Sequence, residues 1–240
     1  MILAAGLGTR LKPLTDTMPK ALVNVGGMPL LQRLIEKLRR AGARRIVVNV
    51  HHFASQVTDF LRQNDNFGMD VRVSDESDRL LDTGGALRKA RPLFMPDMPI
   101  LIHNVDILSN ADLRQLYDKA ADGAPAHLLV SRRQTTRRLL FDNDHNLVAW
   151  TDTRTGEVRS PYDGHDIRHS TPLAFSGIHI VSPALFPLMD DMGEKFGIID
   201  FYLRICAQVC VRATTLPDLQ LLDVGKTDSL AEAEHFLQNL

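Results

Sequence analysis

Over its first 131 residues the chain alternates short apolar runs with stretches whose apolar residues recur at helical spacing, and few architectures accept that rhythm. "MILAA", "RRIVVNV", "MDVRVSD", "MPILIHNVD" and "AHLLVSR" are strand-like. Between them, "PLLQRLIEKLRRAG" carries a stripe of Leu30, Leu31, Leu34, Ile35 and Leu38, opened by Pro29 and closed by Gly42. "ASQVTDFLRQN", "GGALRKARPLF" and "NADLRQLYDKAADG" supply three more helices, the last with Asn110 as its expected N-cap. Strands joined through helices imply a parallel sheet covered on both faces. The expected fold is therefore α/β, a Rossmann-like three-layer α/β/α sandwich around a mixed, mostly parallel sheet.

Near Arg132 the rhythm changes. "RRLLFDNDHNLVAWTD" suggests a hairpin turning on "DNDHN", and the polar segment 153–171 suggests a loop. "PLAFSGIHIVS" returns to strand, followed by helices in "PALFPLM" and "IIDFYLRICAQV". Strands in "CVRATTL" and "QLLDV" precede a terminal amphipathic helix capped by Thr227 or Asp228. With no repeat, low-complexity tract or linker, 1–240 is expected to be one domain. Its halves would be 1–131 for nucleotide and 132–240 for sugar, with 132–171 as an elaboration.

A formal net charge of −1 argues against a dedicated nucleic-acid or membrane surface. No run approaches the roughly 18 apolar residues of a membrane span, and "MILAAGLG" lacks a charged leader. Cys206 and Cys210, four apart in "RICAQVC", would share one helix face as small core thiols rather than a metal or redox pair. These features suit a soluble cytoplasmic protein.

Directly after the first strand comes "GLGTRLKPLTDTMPK", where α/β proteins place ligands. A dinucleotide fingerprint fails because Leu11 stands at the third glycine position and Pro13 opposes the required helix. A P-loop fails for want of a Gly-Lys pair. What remains is an extended loop whose amides, freed at Gly6 and Gly8, can form an anion nest beside the cations Arg10 and Lys20. Such a loop is suited to a triphosphate.

The whole stretch "LAAGLGTRLKPLTDTMPKAL" resembles the opening motif of the sugar-1-phosphate nucleotidylyltransferases, L-A-A-G-x-G-T-R-L-x-P-L-T-x-x-x-P-K-x-L, at every fixed position. "LLDTGGAL", "ILIHNVDIL", "LAFSGIHIVSPALF", "GIIDFYLR" and "LLDVGKTDSLAEAE" resemble later family segments in order. The resemblance implies the nucleotide-diphospho-sugar transferase fold. It also implies attack of a sugar phosphate on the α-phosphorus of an NTP, with Mg2+ as cofactor. Asp106 and Asp223, each ending a strand, would hold the metal, while Asp112 and Asp142 are left as cap or turn acids. Arg10 would serve the β- and γ-phosphates and Lys20 the α-phosphate, with Ala4, Ala5, Gly6, Gly8 and Thr9 lining the nucleotide. Thr83, Gly84 and Gly85 would approach the base, Ser176 and Gly177 the sugar, and Asn104 the sugar or the ribose.

The chain departs from the family where many members carry Glu-Lys-Pro before the sugar-pocket strand; here stands "DIRHSTPLAFSG". Arg138, Arg168 and Lys195 are alternative phosphate-binding residues. His51 and His52 are surface or supporting residues, and Trp150 a packing residue. The compact form most resembles uridylyltransferases acting on N-acetylmuramic acid 1-phosphate. Guanylyltransferases acting on mannose or heptose 1-phosphate share most of the motifs. A rival of another class is a non-catalytic nucleotide-sugar-binding regulatory subunit, a kind that tends to lose the Arg, Lys or metal Asp.

Overall fold

The computed structural model describes residues 1–162, 167–225 and 228–238. The strands of the first half are β1 (Ile2–Leu3), β2 (Asn24–Val25), β3 (Met28–Pro29), β4 (Arg45–Val50), β5 (Asp70–Asp75), β6 (Ile100–Asn104), β7 (Ile107–Ser109) and β8 (Ala126–Ser131). Those of the second are β9 (Arg137–Phe141), β10 (Leu147–Asp152), β11 (Glu157–Arg159), β12 (Thr171–Val181), β13 (Val211–Thr214) and β14 (Leu221–Asp223). The helices are α1 (Leu30–Arg40), α2 (Ala54–Gln63), α3 (Asp82–Lys89), α4 (Leu113–Asp118), α5 (Phe186–Met189), α6 (Ile198–Ile205) and α7 (Asp228–Gln238).

Ten strands form one mixed sheet along β11–β10–β9–β12–β6–β1–β4–β5, with β8 and β13 joined beside β12. From β6 to β5 the strands are parallel, as crossover helices require. The long β12 runs antiparallel to β6, β8 and β9, because the second half is linked by hairpins rather than crossovers. Strand alternation divides the core in two. Ile46, Val48 and Val50 of β4 pack with α1 and α2, whereas Val47 points to the opposite layer with α3 and α6. The five residues of the α1 stripe are all buried. Among the described residues no helix is long and apolar enough to cross a membrane.

The structure corrects four local expectations. The N-cap of α4 is Asp112, whose side chain accepts from Gln115 N at 2.9 Å. Asn110 instead pins a distant loop through Gln220 N and Asp218 O. The segment 153–171 contains the edge strand β11, paired with β10 at Trp150↔Arg159. Helix α6 ends at Ile205, so buried Cys206 and half-buried Cys210 share no helix face, and Cys210 Sγ meets Asn146 Oδ1 at 2.8 Å. Finally, α3 begins at Asp82, which places Thr83, Gly84 and Gly85 inside a helix. Thr227 lies outside the described residues, as does the side chain of Asp228.

Asp142 is a turn acid, accepting from Asp144 N and Asn146 N. Trp150 packs under the Arg159 guanidinium, 4.2 Å from its ring centre.

Candidate active site

Beyond the carboxyl ends of β1, β4 and β6 opens a cavity of about 460 Å³. Its wall includes residues 3–10, Lys20, Asn104–Asp106, Thr83, Lys195 and Gly225. The loop after β1 makes tight turns at Thr9–Leu11 and Leu14–Asp16. Leu11 N and Thr15 Oγ1 both donate to Gly8 O at 2.8 Å, which closes the loop on itself. Bonds within helices and strands apart, the main-chain N–H groups of Ala5 to Arg10 show no hydrogen-bond acceptor among the described residues, and these residues line the cavity.

The two acids meet through a ribbon that sequence spacing does not reveal. Strands β7 and β14 pair antiparallel with Asp223 opposite Ile107, and Val224 N donates to Asp106 O at 2.8 Å. Asp106, one residue before β7, thereby stands beside Asp223 at the end of β14. Lys20, almost wholly buried, forms an ion pair with Asp106. A carbon added at Gly225 would lie 2.6 Å from Asp223 Oδ1 and 2.7 Å from Arg10 Nη2, which sets the guanidinium against the second acid. Although Asp223 is exposed at the end of β14, its carboxyl is pushed above its ordinary range, first by partial loss of water around it and then by the charge of Asp106. Lys20, Arg10 and Arg133 pull it back. Two adjacent carboxylates, each beside a cation, are a donor set that could serve Mg2+, which takes one or two protein carboxylates and fills its shell with phosphate and water. No group of three or more His, Cys, Asp or Glu gathers among the described residues.

Of the remaining expected residues, Asn104 and Lys195 line the cavity. Gly177 abuts Asn104, since an added Cβ would lie 2.7 Å from Asn104 Nδ2. Ser176 is buried, and its hydroxyl accepts from Ile178 N at 3.2 Å, away from the cavity wall. Gly84 and Gly85 are also absent from the wall. Both N–H groups donate to Phe196 O, and a Cβ on Gly84 would sit 2.4 Å from the Phe196 ring. Their small size lets α3 pack against the Phe196 segment. Thr83 alone of the three reaches the cavity, while its Oγ1 accepts from Ile198 N at 2.9 Å. Arg138 lines a separate cavity, and Arg168, in the turn Ile167–His169, lines neither.

One network escaped the sequence reading. Ala4 N donates to Asn49 Oδ1 at 2.7 Å, and Asn49 Nδ2 donates to Glu76 Oε1 at 2.7 Å. Glu76 Oε2 accepts from Leu81 N at 3.1 Å, and its backbone carbonyl pairs with His51 Nδ1. Glu76 is fully buried, so its carboxylate ties the root of the phosphate loop to the entrance of α3. The available signal was Asn49, the polar residue in the otherwise apolar core of "RIVVNV".

A glycine-bearing loop after the first strand, two neighbouring acids at Asp106 and Asp223, and a covered mixed sheet define an α/β protein with a cavity at the carboxyl ends of its parallel strands. The family model described as nucleotidyl transferase matches residues 1–138, and the chain belongs to that family of enzymes. It is 32% identical over 245 residues to N-acetylmuramate alpha-1-phosphate uridylyltransferase of Caulobacter vibrioides, covering 98% of this chain and 94% of that one. It is 31% identical to the enzyme of the same name from Neisseria meningitidis serogroup B, covering 78% and 76%. In fold it is similar to HddC from Yersinia pseudotuberculosis complexed with GMP-PN. That TM-score is 0.76 at 23% identity, over 98% of this chain and 97% of that one.

Proposed function

We propose that the protein transfers a nucleoside monophosphate from an NTP to a sugar 1-phosphate, releasing pyrophosphate, with UTP and N-acetylmuramic acid 1-phosphate as the preferred pair. The single observation that carries the reading is the convergence of Arg10, Lys20 and Asp106 on the cavity lined by the loop after β1, with Asp223 set beside Asp106 by the β7–β14 pairing. A sugar phosphate oxygen attacks the α-phosphorus as the bond to the β-phosphate oxygen breaks. Such transfer depends on positioning and charge neutralisation rather than on covalent participation by the protein. The amides of Ala5 to Arg10 and the Arg10 guanidinium hold the β- and γ-phosphates, where negative charge grows as pyrophosphate leaves. Lys20 holds the α-phosphate and is itself kept in place by Asp106. Asp106 and Asp223 are the residues that would hold Mg2+, which supplies neutralisation of the phosphate charge when bound.

Leu80, Asp82 and Thr83, with Lys195 in the segment packed on α3, are offered to the nucleoside, and Asn104 beside Gly177 to the acceptor. On this reading 1–131 serves chiefly the nucleotide and 132–240 chiefly the sugar within one cytoplasmic enzyme. The preference for the uridylyl reaction follows the two uridylyltransferase relatives. Against a non-catalytic binding subunit stands the retention of all four charged groups in mutual reach. The test is a pyrophosphate-release screen of purified protein with four NTPs against a panel of sugar 1-phosphates. Turnover with UTP and the muramate substrate is expected. Nucleotide binding without pyrophosphate release from any pair would overturn the enzymatic assignment of the site.

A further inference from the structure

A second cavity of about 370 Å³ lies on the sugar half, lined by Arg132, Arg133, Gln134, Arg138, Ser170 and Thr171 with Pro172. None of its three arginines forms an ion pair among the described residues, although the charge of Arg133 is felt at Asp223. Arg133 donates to Phe175 O at 3.0 Å, and Arg138 donates to Thr135 O and Gln134 Oε1. The neighbouring Arg137, by contrast, is matched by Asp152. In a chain with 28 basic and 29 acidic residues, three guanidinium groups around one recess, none in an ion pair, are a local excess rather than a general feature. Arginine holds carboxylates and phosphates in bidentate fashion, so the cavity is built for a compact oxyanion.

Its place in the fold says which one. Strand β12 runs from this cavity at Thr171 and Pro172 to Gly177, which abuts Asn104 in the wall of the nucleotide cavity. That interval is about 16 Å of extended chain. The arginine cavity is thus a separate recess that shares no wall residue with the nucleotide cavity, while Arg133 stands within charge reach of Asp223. An acceptor with anionic groups on both sides of its ring, met by an extended arginine side chain, spans the gap.

We propose that Arg132, Arg133 and Arg138 form a subsite for a carboxylate on the acceptor sugar, distinct from the site of its 1-phosphate. The inference rests on the sugar-1-phosphate transfer proposed above. It names the feature by which this site selects an acidic sugar over a neutral one. N-acetylmuramic acid 1-phosphate carries such a group on its lactyl ether, and N-acetylglucosamine 1-phosphate is the same sugar without it.

The experiment compares these two acceptors at saturating UTP for the wild type, Arg132→Gln, Arg132→Lys and Arg138→Gln, with thermal melts to confirm folding. Arg132→Gln is expected to raise KM for the muramate substrate about tenfold or more, the loss of one hydrogen bond to a charged group. KM for the neutral sugar should stay within about twofold, and Arg132→Lys should recover part of the selectivity because it keeps the charge. Arg138→Gln should lower the preference in the same direction. Equal losses with both acceptors would assign the arginines to the 1-phosphate and overturn the subsite alone. So would unchanged kinetics in both glutamine variants. A wild type that turns over neutral acceptors but no acidic one would overturn the subsite together with the muramate preference. A wild type that releases no pyrophosphate with any acceptor would instead overturn the transfer reading on which both depend.

Discussion

Glu76→Gln is the most direct test of how the phosphate loop is held. Glutamine has the volume of glutamate but replaces one acceptor oxygen with a donor NH2. In the native site both oxygens accept, from Asn49 Nδ2 at 2.7 Å and Leu81 N at 3.1 Å. The variant can satisfy one donor and must turn its amide hydrogens towards the other. In a fully buried position no water relieves that clash. Losing one hydrogen bond to a charged group costs about 1.5–3 kcal/mol. At roughly 2–4 °C per kcal/mol for a chain of this size, the melting temperature should fall by about 3–12 °C. Function should suffer more selectively, because Asn49 Oδ1 is what holds Ala4 N at 2.7 Å at the root of the loop. KM for the nucleotide should rise while kcat at saturation changes less. A double-mutant cycle with Asn49→Ala isolates the link, and a coupling of about 0.5–3 kcal/mol is expected between residues in one network. A variant melting within about 1 °C of wild type with unchanged nucleotide KM would refute the reasoning. Strict additivity in the cycle would do the same.

Asp106→Asn should reduce pyrophosphate release by at least about a hundredfold, as loss of a preorganised charge in a transfer site does, with only modest weakening of nucleotide binding; unchanged turnover would remove Asp106 from the site. For Asp223 the raised carboxyl means that its stabilising, protonated state is fully present below the ordinary value near 3.8 and is lost as pH rises through the folded-state value. In EDTA at neutral pH, Asp223→Asn should therefore melt at or above the wild type. The difference should shrink as pH falls towards the ordinary carboxyl value, and a variant that melts clearly lower at neutral pH would contradict this. Mg2+ should raise the wild-type melting temperature and leave that of Asp223→Asn nearly unmoved. Gly84→Ala places a methyl 2.4 Å from the Phe196 ring and should cost about 1–3 kcal/mol, visible as a lower melting temperature.

What the residues disclosed and what they withheld divide along a physical line. Position 84 illustrates it: the same two glycines allow either a ligand or a neighbouring side chain to come close, and the sequence pattern is identical for both. Only the location of Phe196, more than a hundred residues on, decides between them. The start of α3 was hidden for a related reason, because Asp82 opens the helix with a φ of 62°, a conformation no side-chain propensity announces. Strand β11 was hidden because an edge strand with exposed Glu157 and Val158 has no buried face to impose alternation. Where burial is two-sided, as in β4, or confined to a stripe, as in α1, the element was legible, since solvent exclusion writes itself into residue type. Arg10, Lys20, Asp106 and Asp223 could be named as candidates for a different reason: a triphosphate with a cation calls for charged groups of both signs, whatever scaffold supports them. The scaffold itself, the β7–β14 ribbon and the Asn49–Glu76 network, is built from pairings between distant segments. Many different residue pairs can make such joins, so nothing in either partner's local sequence specifies the other. Chemistry constrains the groups that touch the ligand far more tightly than the groups that hold them. For that reason candidate ligand-binding groups can be named before the structure that positions them.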